Sequence, residues 1–364
     1  MSSGDSDLTP LRNQIDAIDS QLLKLLNERA DLAQRIGHVK AKTDAPVMRP
    51  EREAQVVARL LSESLGPLPQ ASIVQLFREV MSACRAMERR VAVAYLGPEG
   101  TYSEQAVWSH FGRFVNAMPE STLEEVLRNV ETQTSDFCVL PVENSTEGSV
   151  TRTLDLLLQT SLSISGEVAL PIHHQLLTNA ATLANVTEVC AHPQALAQCK
   201  AWLQAHLPQA RQTPVSSNAE GALMAKSSFS VAAIAGQAAR ERYELPALAE
   251  HIQDDASNQT RFLVLGQLKP GPSGNDRTSL ILALPNHPGA VYRMLEPLAV
   301  NGVSMTRFES RPARTGRWEY YFYIDVLGHQ ADPNVAKALT ELEAQTSFFK
   351  CLGSYPVAPL QSVF

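Results

Sequence analysis

The chain has 364 residues, 44% of them hydrophobic, 19% charged and 6% aromatic. That length exceeds what one hydrophobic core sustains, and the composition excludes a disordered or fibrous chain. The net charge of -7 is unevenly spread, with 13 Lys/Arg against 12 Asp/Glu in residues 1–90 and 18 against 26 beyond; because the signs interleave and no cationic run carries aromatics, small anionic ligands fit better than a polynucleotide.

Five cysteines (Cys84, Cys138, Cys190, Cys199, Cys351) without a CxxC or a metal-like spacing predict reduced thiols. The N-terminal residues lack a basic and apolar leader, and no apolar run is long enough to cross a bilayer. The chain therefore reads as cytoplasmic, without a membrane or nucleic-acid partner.

Apolar residues at Leu11, Ile15, Ile18, Leu22, Leu25, Leu32, Ile36 and Val39 follow a 4-3 repeat and predict one long amphipathic helix. Arg29 occupies a seam position where the repeat calls for an apolar residue, and a cation there needs an anionic partner, either a carboxylate of the protein or a ligand. Lys40 follows about 20° around the axis and about three turns along, so one elongated anion can touch both. Arg12 lies about 25 Å before Arg29 and about 100° off its face, out of reach within one helix. An antiparallel helix of a second chain could bring it to the site, which suggests an intertwined dimer.

Pro46 and Pro50 end that helix, Pro50-Glu51-Arg52-Glu53 opens a second, and Gly66-Pro67-Leu68-Pro69 separates a third that runs to about residue 90. Cys84 and Glu88 share a face of the third helix, and Arg52 and Glu53 begin the second; singly these are ordinary surface residues. Together, LRNQIDAIDSQLLKLLNERADLAQRIGHVK, PVMRPERE and IVQLFREVMSACRAMER resemble the all-helical chorismate mutase across residues 8–90. The resemblance implies rearrangement of chorismate to prephenate without covalent catalysis. It places Arg29 and a partner's Arg12 on the substrate carboxylates, with Arg52 in support. Lys40 and Glu88 would face the ether oxygen and Glu53 the ring hydroxyl. Glu88 stands where the best-known pattern has Gln, Arg49 where it has Asp, and Cys84 where it has Ser.

At Val91 the grammar changes. VAVAYLG, a GPEGTYS loop and a helical stretch open an α/β domain, with strand-like runs at FCVLPVE, SISGEVALPI, VTEVCAH and TRFLVLG and helices near 123–131, 195–206 and 219–226. GPEGTYS alone could be a plain strand-to-helix turn. With LPVENSTEGSV, AHPQALAQC and NQTRFLVLG it resembles the prephenate dehydratase family over residues 91–267. Members fold as two α/β lobes, like periplasmic solute-binding domains, with the substrate between them. The resemblance implies Thr260 as the hydroxyl donor to the leaving group and Arg261 as a nearby charge or lobe anchor. Thr101, Ser103, Glu143, Asn144 and Gln198 would be cleft contacts, and His192 would either compensate for Ala191, where many relatives have Ser, or merely pack. His173-His174 lacks a third metal ligand and reads as strand. No metal or cofactor is expected.

KPGPSGND reads as a linker. Beyond it come TSLILALP, a helix at Ala290–Val300, VSMTRFESRP, a turn at Thr315-Gly316, WEYYFYIDVLG, a helix near Asn334–Ala344 and FFKCLGSYP, which gives the ferredoxin-like order β-α-β-β-α-β. Asn286-His287-Pro288-Gly289-Ala290-Val291 and Glu309-Ser310-Arg311-Pro312 resemble the phenylalanine-binding motifs of ACT domains, against the plainer reading of a dimerisation module; Tyr292 replaces a smaller aliphatic residue. The domains expected are 1–91, 92–270 and 271–364. The whole reads as a homodimeric, or tetrameric, bifunctional enzyme of phenylalanine biosynthesis with phenylalanine as effector. The rival readings are an arogenate-preferring dehydratase and a ligand-sensing solute-binding protein.

Overall fold

The computed structural model describes residues 3–40, 42, 46–285, 287–313 and 320–358, with the side chains of 3–7 left aside. Asn286, the Thr315-Gly316 turn and the first two residues of WEYYFYIDVLG lie outside the described residues. The N-terminal segment is helical: α1 Ser3–Lys40, α2 Pro50–Glu63 and α3 Gln70–Ala86. Pro50 sits at the first turn of α2, where its missing N–H costs no intrahelical bond. The seam of α1 is open to solvent, each of the eight apolar repeat positions from Leu11 to Val39 being more than half exposed.

The central segment forms two lobes. The first holds β1 Ala92–Leu96, α4 Tyr102–Phe111, β2 Asn116–Glu120, α5 Leu123–Glu131, β3 Phe137–Asn144, β4 Gly148–Ser149, α6 Thr151–Gln159 and β5 Ser163–Pro171. The second holds β6 Gln175–Leu177, β7 Glu188–Ala191, α7 Pro193–Gln198, α8 Lys200–His206, β8 Arg211–Pro214, α9 Asn218–Lys226, β9 Val231–Ala235, α10 Gln237–Tyr243 and β10 Ala247–Ala249. The chain then returns to the first lobe as β11, Gln259–Gly266, which inserts antiparallel between β3 and β5. The sheets run β2-β1-β3-β11-β5, with β4 on β3, and β10-β6-β9-β7-β8. Two crossings thus join the lobes, and a cleft can open between them.

The C-terminal segment is β12 Asp276–Ala283, α11 Ala290–Val300, β13 Met305–Pro312, β14 Tyr320–Leu327, α12 Pro333–Glu343 and β15 Phe348–Pro356, in sheet order β13-β14-β12-β15. Strand alternation divides its side chains. Leu280, Leu282, Ile324 and Val326 pack with α11 and α12. Ile281, Tyr323 and Tyr355 instead join Leu154, Ile164 and Leu263 of the first lobe in one core, so this sheet is fused to the dehydratase-like lobe rather than hung from it.

The predicted helix at 195–206 is two helices, α7 and α8, divided at Cys199. Six strands beyond the predicted runs, β2, β4, β6, β8, β9 and β10, complete the sheets. The five cysteines are free.

Candidate active sites

α1 meets the turn that follows α3 where Gly37 faces Glu88; the third helix, expected to run to about residue 90, ends at Ala86, so Glu88 lies just beyond it. A Cβ at 37 would lie 2.9 Å from Glu88 Cγ, so the bare glycine leaves room for the carboxylate. Lys40, about one turn further along α1, donates to Val47 O at 3.0 Å. Lys40 thus follows the Gly37–Glu88 contact along α1, and Cys84 is buried near the end of α3. Arg29 is half-buried on α1 and Arg52 is exposed on α2. Arg12 lies about 42 Å from Lys40 along α1 at 1.5 Å per residue. Glu53, expected at a ring hydroxyl, instead accepts from the guanidinium of Arg85, whose side chain is only 7% exposed. Arg85 also donates to Phe111 O, the last residue of α4, at 2.7 Å.

The second site is built on a chain of hydrogen bonds across the cleft. Tyr102, in the first turn of α4, reaches His174 Nδ1 at 3.0 Å, and His174 Nε2 meets Gln198 Oε1 of α7 at 2.9 Å. Gln198 Nε2 donates to Thr146 Oγ1 at 3.3 Å, and Thr146 donates to Asn144 Oδ1 at 2.6 Å. Asn144 Nδ2 donates to Asn258 Oδ1 at 2.9 Å and to Thr260 Oγ1, also at 2.9 Å. Burial holds the His174 imidazole below its ordinary pKa, so the ring is neutral and carries one N–H. Tyr102 also donates its proton to His173 O at 2.9 Å. With the imidazole proton on Nε2, every link from His174 onward donates in the same direction. The chain ends on the Thr260 oxygen, and Thr260 keeps its own proton for a further acceptor.

Thr101 caps α4, its hydroxyl accepting from Glu104 N at 3.4 Å, and Ser103 is buried behind it. Glu104 accepts from Gly100 N at 2.5 Å and from Arg242 of α10 at 2.6 Å, which fixes the GPEGTYS loop against the second lobe. His192 caps α7, its Nδ1 accepting from Gln194 N at 3.3 Å.

Arg261 faces away from Thr260, as the next residue on a strand must. Its guanidinium donates to Glu167 at 2.9 Å, Asp325 at 2.6 Å and Tyr355 at 2.9 Å. It anchors the C-terminal domain and is not aimed into the cleft, because those carboxylates hold it on the far face of β11. Glu143 likewise accepts from Arg307 of β13 at 3.0 Å.

In the C-terminal domain Gly289 takes a left-handed conformation (φ 76°) at the start of α11. A pocket of about 260 Å³ opens beside it between Leu284, His287, Ala290, Arg293 and Gln345. Val291 is exposed. Glu309 and Arg311 point the other way, toward the first lobe: Glu309 meets Ser149 and Arg307, and Arg311 donates to Thr151 O at 2.7 Å. Ser310 alternates to the opposite face of β13.

Three family models cover these segments in order: chorismate mutase type II at residues 11–89, prephenate dehydratase at 93–270 and the ACT domain at 278–344. A bifunctional chorismate mutase/prephenate dehydratase of Neisseria gonorrhoeae is 50% identical over 98% of this chain and 99% of its own length. The chain belongs to that family. A second member, from Pseudomonas aeruginosa, is 45% identical over 97% of this chain and 98% of its own. Among solved structures, the prephenate dehydratase of Arthrobacter aurescens in complex with L-Phe matches with a TM-score of 0.67 at 33% identity, over 73% of this chain and 90% of that one. The chain is thus a bifunctional chorismate mutase and prephenate dehydratase with an ACT regulatory domain, and the reading as a ligand-sensing solute-binding protein is set aside.

The sequence reading missed Tyr102, Thr146, His174 and Asn258 in the cleft, and Arg85 in the mutase segment. Tyr102, Thr146 and Asn258 lie inside the quoted motifs, so their signal is present in the sequence; His173-His174 reads as strand, whereas the pair lies in the crossing between β5 and β6. Among the described residues no group of His, Cys, Asp and Glu could hold a metal, and no helix is long and apolar enough to cross a membrane.

Proposed function

We propose that the two reactions occur at opposite ends of α4, with domain boundaries at 91/92 and 270/271. At the mutase end, Lys40 and Glu88 flank the ether oxygen of chorismate, and Arg29 holds a carboxylate together with Arg12 of a second chain. Glu88 can donate a hydrogen bond there only when protonated. Arg52 supports the carboxylate end, Cys84 packs beneath Glu88, and Glu53 meets the ring hydroxyl when it leaves Arg85. The open seam of α1 supports the dimer, since an apolar stripe of that length is covered in a stable soluble protein.

In the dehydratase cleft, Thr260 gives its proton to the departing hydroxyl of prephenate, which leaves as water while the carbon–carboxylate bond breaks, its electron pair aromatises the ring and carbon dioxide departs, giving phenylpyruvate; the Thr260 oxygen recovers a proton from solvent. The observation that carries this reading is the bond from Asn144 to the Thr260 oxygen, which turns the hydroxyl proton outward. Decarboxylation needs a carboxylate whose electrons are not held by a cation, and the retreat of Arg261 to the far face of β11 fits that need. Thr101, Ser103, Asn144 and Gln198 shape the cleft. Phenylalanine acts as feedback effector through Gly289, Ala290, Val291, Glu309, Ser310 and Arg311, in a homodimeric cytoplasmic enzyme without cofactor. Thr260→Ala tests the assignment: phenylpyruvate formation should vanish while chorismate is still consumed, and persistent dehydratase turnover would refute it.

A further inference from the structure

The turn between β3 and β4 is where three parts of the molecule meet. Asn144, which ends β3, bonds Thr260 of the first lobe, and Thr146 in the turn bonds Gln198 of the second. Its two strands are gripped from a third side by one ACT residue. Arg307 of β13 donates Nε to Glu143 Oε2 at 3.0 Å and Nη2 to Ser149 Oγ at 2.8 Å. Glu143 and Ser149 are cross-strand partners at the base of the hairpin, so a single guanidinium staples both of its legs. The same Nη2 donates to Glu309 at 2.5 Å, and the Arg307 side chain is only 12% exposed.

We infer that Arg307, a residue of the ACT domain, is a positioning residue for the dehydratase: it fixes the β3–β4 hairpin and thereby the Asn144 amide that orients Thr260. The inference rests on the reading of Thr260 as the proton donor. A planar, forked cation is suited to the task because it engages two acceptors in fixed directions, which a lysine ammonium does only loosely. Asn144 immediately follows Glu143, so a hairpin released at its base moves the amide relative to Thr260, and small misplacements of a donor are costly to rate. Glu309 completes the device. It belongs to the effector motif and shares the guanidinium with Glu143, so a ligand that draws Glu309 away alters the grip on the hairpin.

The test uses the full chain with Arg307→Ala, Arg307→Gln and Arg307→Lys, measuring dehydratase kcat and KM for prephenate and, on the same preparations, mutase turnover as a check on folding. Arg307→Ala and Arg307→Gln should lower dehydratase kcat about tenfold or more while KM stays within about twofold, mutase turnover being unchanged. Arg307→Lys should restore part of kcat. A wild-type kcat in Arg307→Ala would overturn the inference, as would equal values for Arg307→Gln and Arg307→Lys, which also settle the case if the alanine variant does not fold. Thr260→Ala measured alongside separates the two levels: if it stays active the reading of Thr260 fails, whereas if it is inactive and the Arg307 variants behave as wild type only the positioning role fails.

Discussion

His174 is a buried, neutral link in the hydrogen-bond chain that ends on Thr260. With its proton on Nε2 it donates to Gln198, and His174→Phe would cut the chain between Tyr102 and Gln198. Dehydratase kcat should fall about tenfold with mutase turnover unaffected; an unchanged kcat would show that the second lobe has no part in orienting Thr260. A different histidine bears on acid stability. His110 is half-buried with its Nε2 enclosed and unpartnered, and that desolvation, reinforced by Arg78 and Arg85, pushes its pKa from 6.5 down to about 3. The unfolded chain binds a proton there from about pH 6.5 downward and the folded chain does not. Stability present above that pH is therefore lost as the pH falls toward 3, at about 1.4 kcal/mol per pH unit. Burial lowers His174 too, so it acts in the same direction. Thermal unfolding followed between about pH 7 and 4.5 should slope less steeply for His110→Gln than for the wild type; parallel slopes would show that His110 carries none of the acid sensitivity.

Among the elements, α4 has one end in each catalytic segment. Thr101 and Ser103 begin it at the dehydratase cleft, and Phe111 ends it on Arg85, the partner of Glu53. The helix stops at Gly112, whose φ of 74° and 2.5 Å approach of a would-be Cβ to Ser82 leave no space for a side chain. Gly112→Ala should cost about 2 kcal/mol or more through left-handed strain and overpacking. Arg85→Ala should cost about 3 kcal/mol by stranding Glu53 in the seam. Chemical denaturation would detect both, and a wild-type midpoint in either would mean that the seam yields without penalty.

Which elements could be read from sequence follows the same physics. The eight-residue seam of α1, the proline breaks around α2 and the apolar runs of β1, β3, β5, β7 and β11 carry strong periodic or compositional signals. β9 is Val-Ala-Ala-Ile-Ala, β2 and β8 are short and polar, and such strands are fixed by their neighbours in the sheet rather than by local preference. Residues inside contiguous motifs, such as Asn144 and Thr260, were legible. The ion pairs of Arg85, Arg261 and Arg307 join positions far apart in the chain, and no local pattern announces them.

At the scale of the whole molecule, the mutase seam asks for a second chain and the ACT sheet is bonded to the first lobe. If each mutase site takes Arg29 from one chain and Arg12 from the other, Arg12→Ala and Arg29→Ala chains refolded together should regain roughly a quarter of wild-type mutase activity, since half of the dimers are mixed and each holds one intact site. Mixed dimers as inactive as either parent would place both arginines of a site in one chain.

The fusion of helix α3 to lobe one also bears on how this chain can be divided. Met87 to Val91 is the whole connection between α3 and β1, and the joint beside it is filled by Ser82, Arg85 and Arg89, the last of these paired with Asp136 at 2.7 Å. A chain severed after Arg90 would bare the Phe111 carbonyl and the buried face around His110 to water. The dehydratase half would thus inherit a wound rather than a terminus, and recombining this mutase with a foreign dehydratase calls for transplanting α4 along with the helices.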